Sequence, residues 1–353
     1  MSIRAIFTNE RGSIGLYGAL VIGMFLAIAA FAIDIGYAIV SKQELRNVAD
    51  SVALAGARVL GELYEGLPLD EQRNFVLNTS QKNLVLAAMD DLAQKNSAGG
   101  LFISVDHSDI QFGQWDGAAF FMTNLQPTAV AVTVRRDRIA NGPLSTSFAG
   151  VFGVDSMAVA AQATAALLPI ATAVSGEVDI PVGISKEYFE LGGCGDTIEF
   201  HPTGSLVGCA GWHTFEQSPA NASKLKDILI ELRNGTFAAP EVIAEESQFI
   251  FIGGNVASAF SELENLYDTK KDASGNWETF LVVYDQSDCN NPHGPMTIVG
   301  FAKATIYSVQ GPPNMRILAK IECDGIHKGR PGSNAGNGGQ GYGTKSSVPG
   351  LVL

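Results

Sequence analysis

The sequence predicts an α+β protein: an N-terminal transmembrane helix continuing into a long helix, then mixed helix and antiparallel-strand domains outside the membrane. Ile14 to Ile33 is a run of 20 uncharged, mostly apolar residues, about 30 Å long as a helix and matched to a bilayer core. The charged sequence after it keeps a helical apolar period. From about residue 97 short alternating or β-branched runs are interleaved with amphipathic stretches.

The chain has 353 residues, 46% hydrophobic and 17% charged, enough for two folded domains beyond a membrane segment. Its net charge of −13 comes from 36 acids against 23 bases. No basic stripe exists to meet a phosphate backbone, which excludes a nucleic-acid binder. The four cysteines, Cys194, Cys209, Cys289 and Cys323, all lie in the second half. An even count suits two disulfides and an oxidising compartment.

The first element is the apolar run. A secretory signal has an apolar core of about 7–15 residues, shorter than this one, although Ala30-Phe31-Ala32 offers a cleavage pattern. A processed pilin head needs a glutamate five residues after its glycine. Here Gly12 is followed by Ser13, and the fifth residue is Tyr17. A permanent span is therefore expected. Arg4 and Arg11 precede it, and Lys42 and Arg46 follow, so the positive-inside comparison is nearly balanced. The N-terminal amine and the late cysteines tip it towards an N-terminus inside and a body outside. Asp34, at the outer end, is expected to reach water, with a cation on an assembly partner as the alternative. Beyond it Leu45, Val48, Val52, Ala55 and Val59 are spaced 3, 4, 3, 4, the seam of a packed helix. The seam either packs on this protein's own next domain or docks a partner helix.

"RGSIGLYGALVI" and "FAIDIGYAIVSKQELRNVADSVALAGARVL" resemble the N-terminal module of TadG-like proteins of the tight-adherence (Tad, or Flp) pilus-assembly system. Arg11-Gly12, Asp34-Ile35-Gly36 and Ala49-Asp50 stand at that module's Arg-Gly, Asp-x-Gly and Ala-Asp positions. Val48 replaces a frequent alanine and Arg46 a frequent glutamine. The close similarity covers about 50 residues, and minor pilin-like proteins share the same head. It implies a bacterial single-pass inner-membrane protein with a periplasmic body. It also implies a non-catalytic part in Flp pilus assembly and adherence, with other assembly proteins or pilin-like subunits as partners. Alternatives are a minor pilin-like subunit built into the fibre, or a metal-dependent adhesin.

Further on, 69–96 reads as one helix with Phe75, Val76, Leu84, Ala87, Ala88 and Leu92 on its apolar face, ended by "SAGG". "LFISVD", "IQFGQW" and "AVAVTVRR" read as strands, the last with Val130, Val132 and Val134 on one face. The Ala-rich 148–169 is a buried helix or strand, since Asp155 leaves too short an uncharged run to cross a membrane. Past a boundary near 171–180, a helix at 218–235 carries Asn221 or Ser223 as cap and Gly235 as stop. A second helix starts after Asn255. "QFIFIGG", "TFLVVYD", "MTIVGFAKATIYSV" and "MRILAKIEC" are strands. The expected domains are 1–12 cytoplasmic, 13–40 anchor, 41–170 helix plus β-rich domain, 171–328 cysteine-containing α/β domain, and 329–353 a Gly-rich flexible tail.

Two clusters carry chemistry-bearing residue types. Cys194, His201, Cys209 and His213 could form a zinc set, but without a short C-x₂₋₄-C pair. A Cys194–Cys209 disulfide is the simpler reading, leaving Cys289 to Cys323, although four cysteines allow three pairings. "LVVYDQSDC" starts like the metal-dependent adhesion site of von Willebrand factor A-type domains, with Asp285 and Ser287 in place. Cys289, a poor ligand for a hard cation, takes the third position. No nucleophile elbow, P-loop or dinucleotide fingerprint occurs. No catalytic residue, metal, cofactor or small-molecule substrate is therefore expected.

Overall fold

No proline precedes Pro68, so nothing breaks the first helix, α1 (Glu10–Glu62), 53 residues long and about 80 Å from end to end. The computed structural model describes residues 10–193, 195, 197–198, 209–254, 256–323, 325–331 and 342–352. After α1 come α2 (Leu69–Arg73), α3 (Thr79–Gln94), β1 (Ser97–Ala98), β2 (Leu101–Phe102), β3 (Ile110–Trp115), β4 (Phe120–Met122), β5 (Ala129–Arg136), β6 (Leu144–Ser145), β7 (Ser156–Met157) and β8 (Val159–Ala173). The remainder is β9 (Val182–Ser185), α4 (Glu187–Glu190), β10 (Thr197–Ile198), β11 (Ala210–His213), α5 (Ala222–Asn234), β12 (Val242–Ile243), β13 (Gln248–Ile252), α6 (Ala257–Lys270), β14 (Trp277–Tyr284), β15 (Gly294–Gln310), β16 (Arg316–Glu322), β17 (Ile326–His327), β18 (Arg330–Pro331), β19 (Tyr342–Gly343) and β20 (Lys345–Leu351). The protein is α+β.

The chain divides into two units. The first takes in residues up to Ala55, Leu86–Gln111 and Ala131–Ala163. Its hairpin β1–β2 pairs Ser97 with Phe102 around Gly99-Gly100. Both glycines have positive φ, +56° and +75°, as a two-residue hairpin turn requires. The Gly99 N–H donates to Glu44 Oε2 (2.7 Å), and its carbonyl accepts from the Tyr37 hydroxyl (2.9 Å) and Arg136 Nη1 (2.8 Å). A Cβ here would also lie 2.6 Å from Arg136, so only glycine fits.

The second unit holds Gly56–Val85, Phe112–Val130 and Thr164–Leu353. Its main sheet runs β10-β16-β15-β13-β11-β9-β14, and β14 also pairs with β15. The pairings β15-β13-β11-β9-β14 thus close on themselves, leaving no open edge in that ring. Packed on it are α5, capped by Asn221 and stopped by left-handed Gly235, and α6. They bury Leu225, Ile228, Leu229, Phe260 and Leu263 with Trp212, Phe249 and Phe301. A second set of strands places β20 between β17 and β8. There Gly61 faces the Ser347 carbonyl at a distance that excludes a Cβ.

Several expectations are corrected. The single helix over 69–96 is two. Asn74 ends α2, and Asn78 starts α3 by accepting from the Gln81 N–H (3.0 Å), while Gln81 Oε1 accepts from the Asn78 N–H (3.1 Å). This reciprocal capping box resets the phase. Val85, Met89 and Ala93 are buried, and Leu84 is exposed. The strand over 101–106 is limited to Leu101–Phe102. Within the expected tail, 329–353, the described residues include β18, β19 and β20. Among them Thr344, Ser346 and Ser347 are buried, with their hydroxyls bonded to Glu322 O, Gly329 O and Glu65 Oε1. Residues 332–341, Cys194, His201, Asn255 and residues 1–9 lie outside the described residues.

Candidate functional site

The seam of α1 is placed by its period. Leu45, Val48 and Val52 are buried, together with Ala49, Ala53, Ala57 and Leu60. Ala55 and Val59 are half-buried. Ala49, Ala53 and Ala57, four residues apart, form a second buried row that turns away from Ala55 and Val59 towards Leu60. Side chains buried within the chain are not a free surface.

The same stripe reaches back through Ser41 to Asp34, which is 3% exposed. Asp34 does not reach water. Its Oδ1 accepts the N–H of Ser147 (2.8 Å), and its Oδ2 accepts those of Phe148 (2.9 Å) and Ala149 (2.6 Å). These are the free N–H groups that open the 3₁₀ turn Ala149–Phe152, and no nearby side chain caps them. Phe31 stacks on Phe152 with centroids 5.1 Å apart. Sequence reading missed this clamp because its partners are 113 to 115 positions apart. The available signal was that Asp34, Ser41 and Val48 fall seven residues apart, on the seam's own row.

The expected cysteine pairing is corrected too. Cys209 is bonded to Cys289, and Cys323 is also disulfide-bonded. Within the second unit β9 pairs antiparallel with β11 and parallel with β14, so Ile184 stands between Ala210 and Val283. The start of β11 and the end of β14 therefore meet at one end of the sheet, and Cys209 meets Cys289 across 80 residues.

That bond removes the Cys209 sulfur from any zinc set and the Cys289 sulfur from the adhesion-site row. His213 is fully buried, its ring among Phe215, Phe249 and Phe251. Burial pushes it down to about 3, against a weaker opposing effect of the Val182 carbonyl, so it is neutral, and Nδ1 accepts the Phe215 N–H (3.2 Å). Asp285 pairs with the Lys186 ammonium (2.7 Å), which that carboxylate holds above the ordinary lysine range. Among the described residues no group of three or more His, Cys, Asp and Glu side chains is arranged to hold a metal.

Residues 12–59 match the model of the Flp pilus-assembly TadE/G-like family, and residues 63–165 that of the Tad-like Flp pilus-assembly family. Over these residues the chain is similar to TadG-like proteins of the Tad pilus-assembly system. The TadE/G-like match spans the apolar run, Asp34 and the seam. The Tad-like match contains the turn that Asp34 clamps. These matches support a component of Flp pilus assembly. No curated protein and no solved structure matches it.

Proposed function

We propose that this protein is a non-catalytic, single-pass anchor component of Flp pilus assembly. On this reading its N-terminus lies in the cytoplasm, α1 crosses the inner membrane, and the body stands in the periplasm. There it contacts other assembly proteins or pilin-like subunits. The carrying observation is the exposure of α1. Over its most apolar window none of the helix is buried within the protein, with Ile14, Leu20, Phe25 and Ile33 open. After Asp34 the same helix becomes one-sided and buried. A surface that is apolar all round needs an apolar solvent. The disulfide at Cys209–Cys289 favours the oxidising side for the body.

Reporter fusions test this. Alkaline phosphatase at the C-terminus should be active and a cytoplasmic fluorescent reporter there dark, with the protein resisting alkaline extraction from membranes. A soluble protein, or a C-terminus that reports as cytoplasmic, defeats the reading. Intact mass separates an uncut anchor from a fibre subunit that has lost its first residues.

A further inference from the structure

We propose that the turn Ser147–Val154 is a second membrane contact, its apolar tip seated at the boundary between lipid headgroups and acyl chains beside α1. This rests on the anchor reading above.

The exposed apolar side chains of α1 run from Ile14 to Val40, 27 residues or about 40 Å, whereas the hydrocarbon core is about 30 Å thick. However the helix is set, the level of Phe31 and Asp34 lies at or inside the outer edge of that core. The turn meets α1 at this level, through the Phe31–Phe152 stack and the Asp34 clamp.

Its other side chains face outward. Val151 is 84% exposed and Phe152 60%, with Phe148 and Val154 also open. A turn standing in water draws on Gly, Pro, Asn, Asp and Ser. This one presents four large apolar groups in a row of seven residues, a patch continuous with a lipid-facing helix. Its base is polar and closed: Thr146 donates its N–H to the Asp155 carbonyl (3.1 Å) and its hydroxyl to the Val154 carbonyl (2.5 Å). An apolar tip on a polar base is the pattern of an interfacial insertion, seated about 5–10 Å into the headgroup boundary.

The clamp solves the difficulty such a site poses. A lone carboxylate at that depth is costly, and so are the unpaired N–H groups that open a helical turn. Here each satisfies the other, and Asp34 is covered from lipid.

The test uses full-length protein in phosphatidylethanolamine–phosphatidylglycerol vesicles. The native cysteines of the described residues are disulfide-bonded, so single variants Phe25→Cys, Val151→Cys and Gln94→Cys are labelled with a polarity-sensitive fluorophore. Lipids carry a spin-label quencher either high or low on the acyl chain. The Val151 label should emit at shorter wavelength and lose most of its intensity to the high quencher. The Phe25 label should respond to the low quencher, and the exposed Gln94 label to neither. A quenched Phe25 label beside an unquenched Val151 label overturns this inference and leaves the anchor standing. Quenching of neither removes the anchor, and this inference with it.

Discussion

Val52 separates a helix face used inside the protein from one offered to a partner. Its side chain is fully buried. Truncation to alanine removes two methyl-sized groups, about 1.6 kcal/mol of transfer free energy. With the cavity left behind, the loss is about 2–3 kcal/mol, or roughly 5–10 °C in thermal midpoint. Val52→Asp loses the same packing and adds a buried, unpaired carboxylate costing several kcal/mol more. The sum approaches the whole stability of an ordinary domain, about 5–15 kcal/mol. Asn47, exposed on the same helix, is the control. Asn47→Asp should change neither stability nor level. The assay is the near-UV circular dichroism melt of detergent-solubilised protein, together with pulse-chase of the membrane fraction in a producing cell. Val52→Ala should melt lower, and Val52→Asp should be degraded after insertion. A Val52→Asp protein that melts normally, reaches normal level and yet stops pilus formation would refute the reasoning and make the seam a docking face.

Further outcomes follow from other sites. Asp34→Asn replaces one acceptor oxygen by an amide donor facing the N–H groups of Phe148 and Ala149, so the Val151 label should lose its lipid quenching while the Phe25 label keeps its own. Cys209→Ser with Cys289→Ser opens an 80-residue loop, about 4.5 kcal/mol on the chain-entropy estimate. Thermal midpoint should fall by about 10–15 °C, read by calorimetry of the purified protein. His213 binds its proton more weakly folded, at about 3, than unfolded, at about 6.5. Its stability contribution is complete above that unfolded value and declines as pH falls towards 3, by up to about 1.4 kcal/mol per pH unit. His213→Phe should flatten the acid limb of a urea-denaturation series by that amount.

How much was legible follows from the range of each interaction. The seam was readable at Leu45, Val48 and Val52 because burial there obeys a local period, and Asn221 and Gly235 because caps act within one turn. The long strands β14, β15 and β16 announced themselves by β-branched runs. The cysteine pairing was not readable, since it depends on β9 lying between β11 and β14, a register no local spacing encodes. The break between α2 and α3 was readable and overlooked: Asn78 and Gln81 form a capping box, but the apolar residues around them suggested a continuous helix. Polar residues of the C-terminal strand were read as tail because their partners, Glu65 and the carbonyls of Glu322 and Gly329, appear only once the chain is folded.

The residue that opens the buried stripe of α1 is an aspartate, and the solvent explains that choice on the anchor reading. From Leu45 to Leu60 the stripe stands in protein bathed by water, where apolar side chains alone drive packing. At Asp34 the surroundings are lipid, as apolar as leucine, so an apolar contact between helix and turn gains little over contact with acyl chains. What distinguishes helix–turn association there is hydrogen bonding that lipid cannot replace. A carboxylate taking three backbone N–H groups supplies directional attraction where the hydrophobic effect fades. The Phe31–Phe152 stack then fixes the orientation of a turn already held. Asp34→Leu, which would suit a water-facing interface, therefore removes the attraction that matters at this depth.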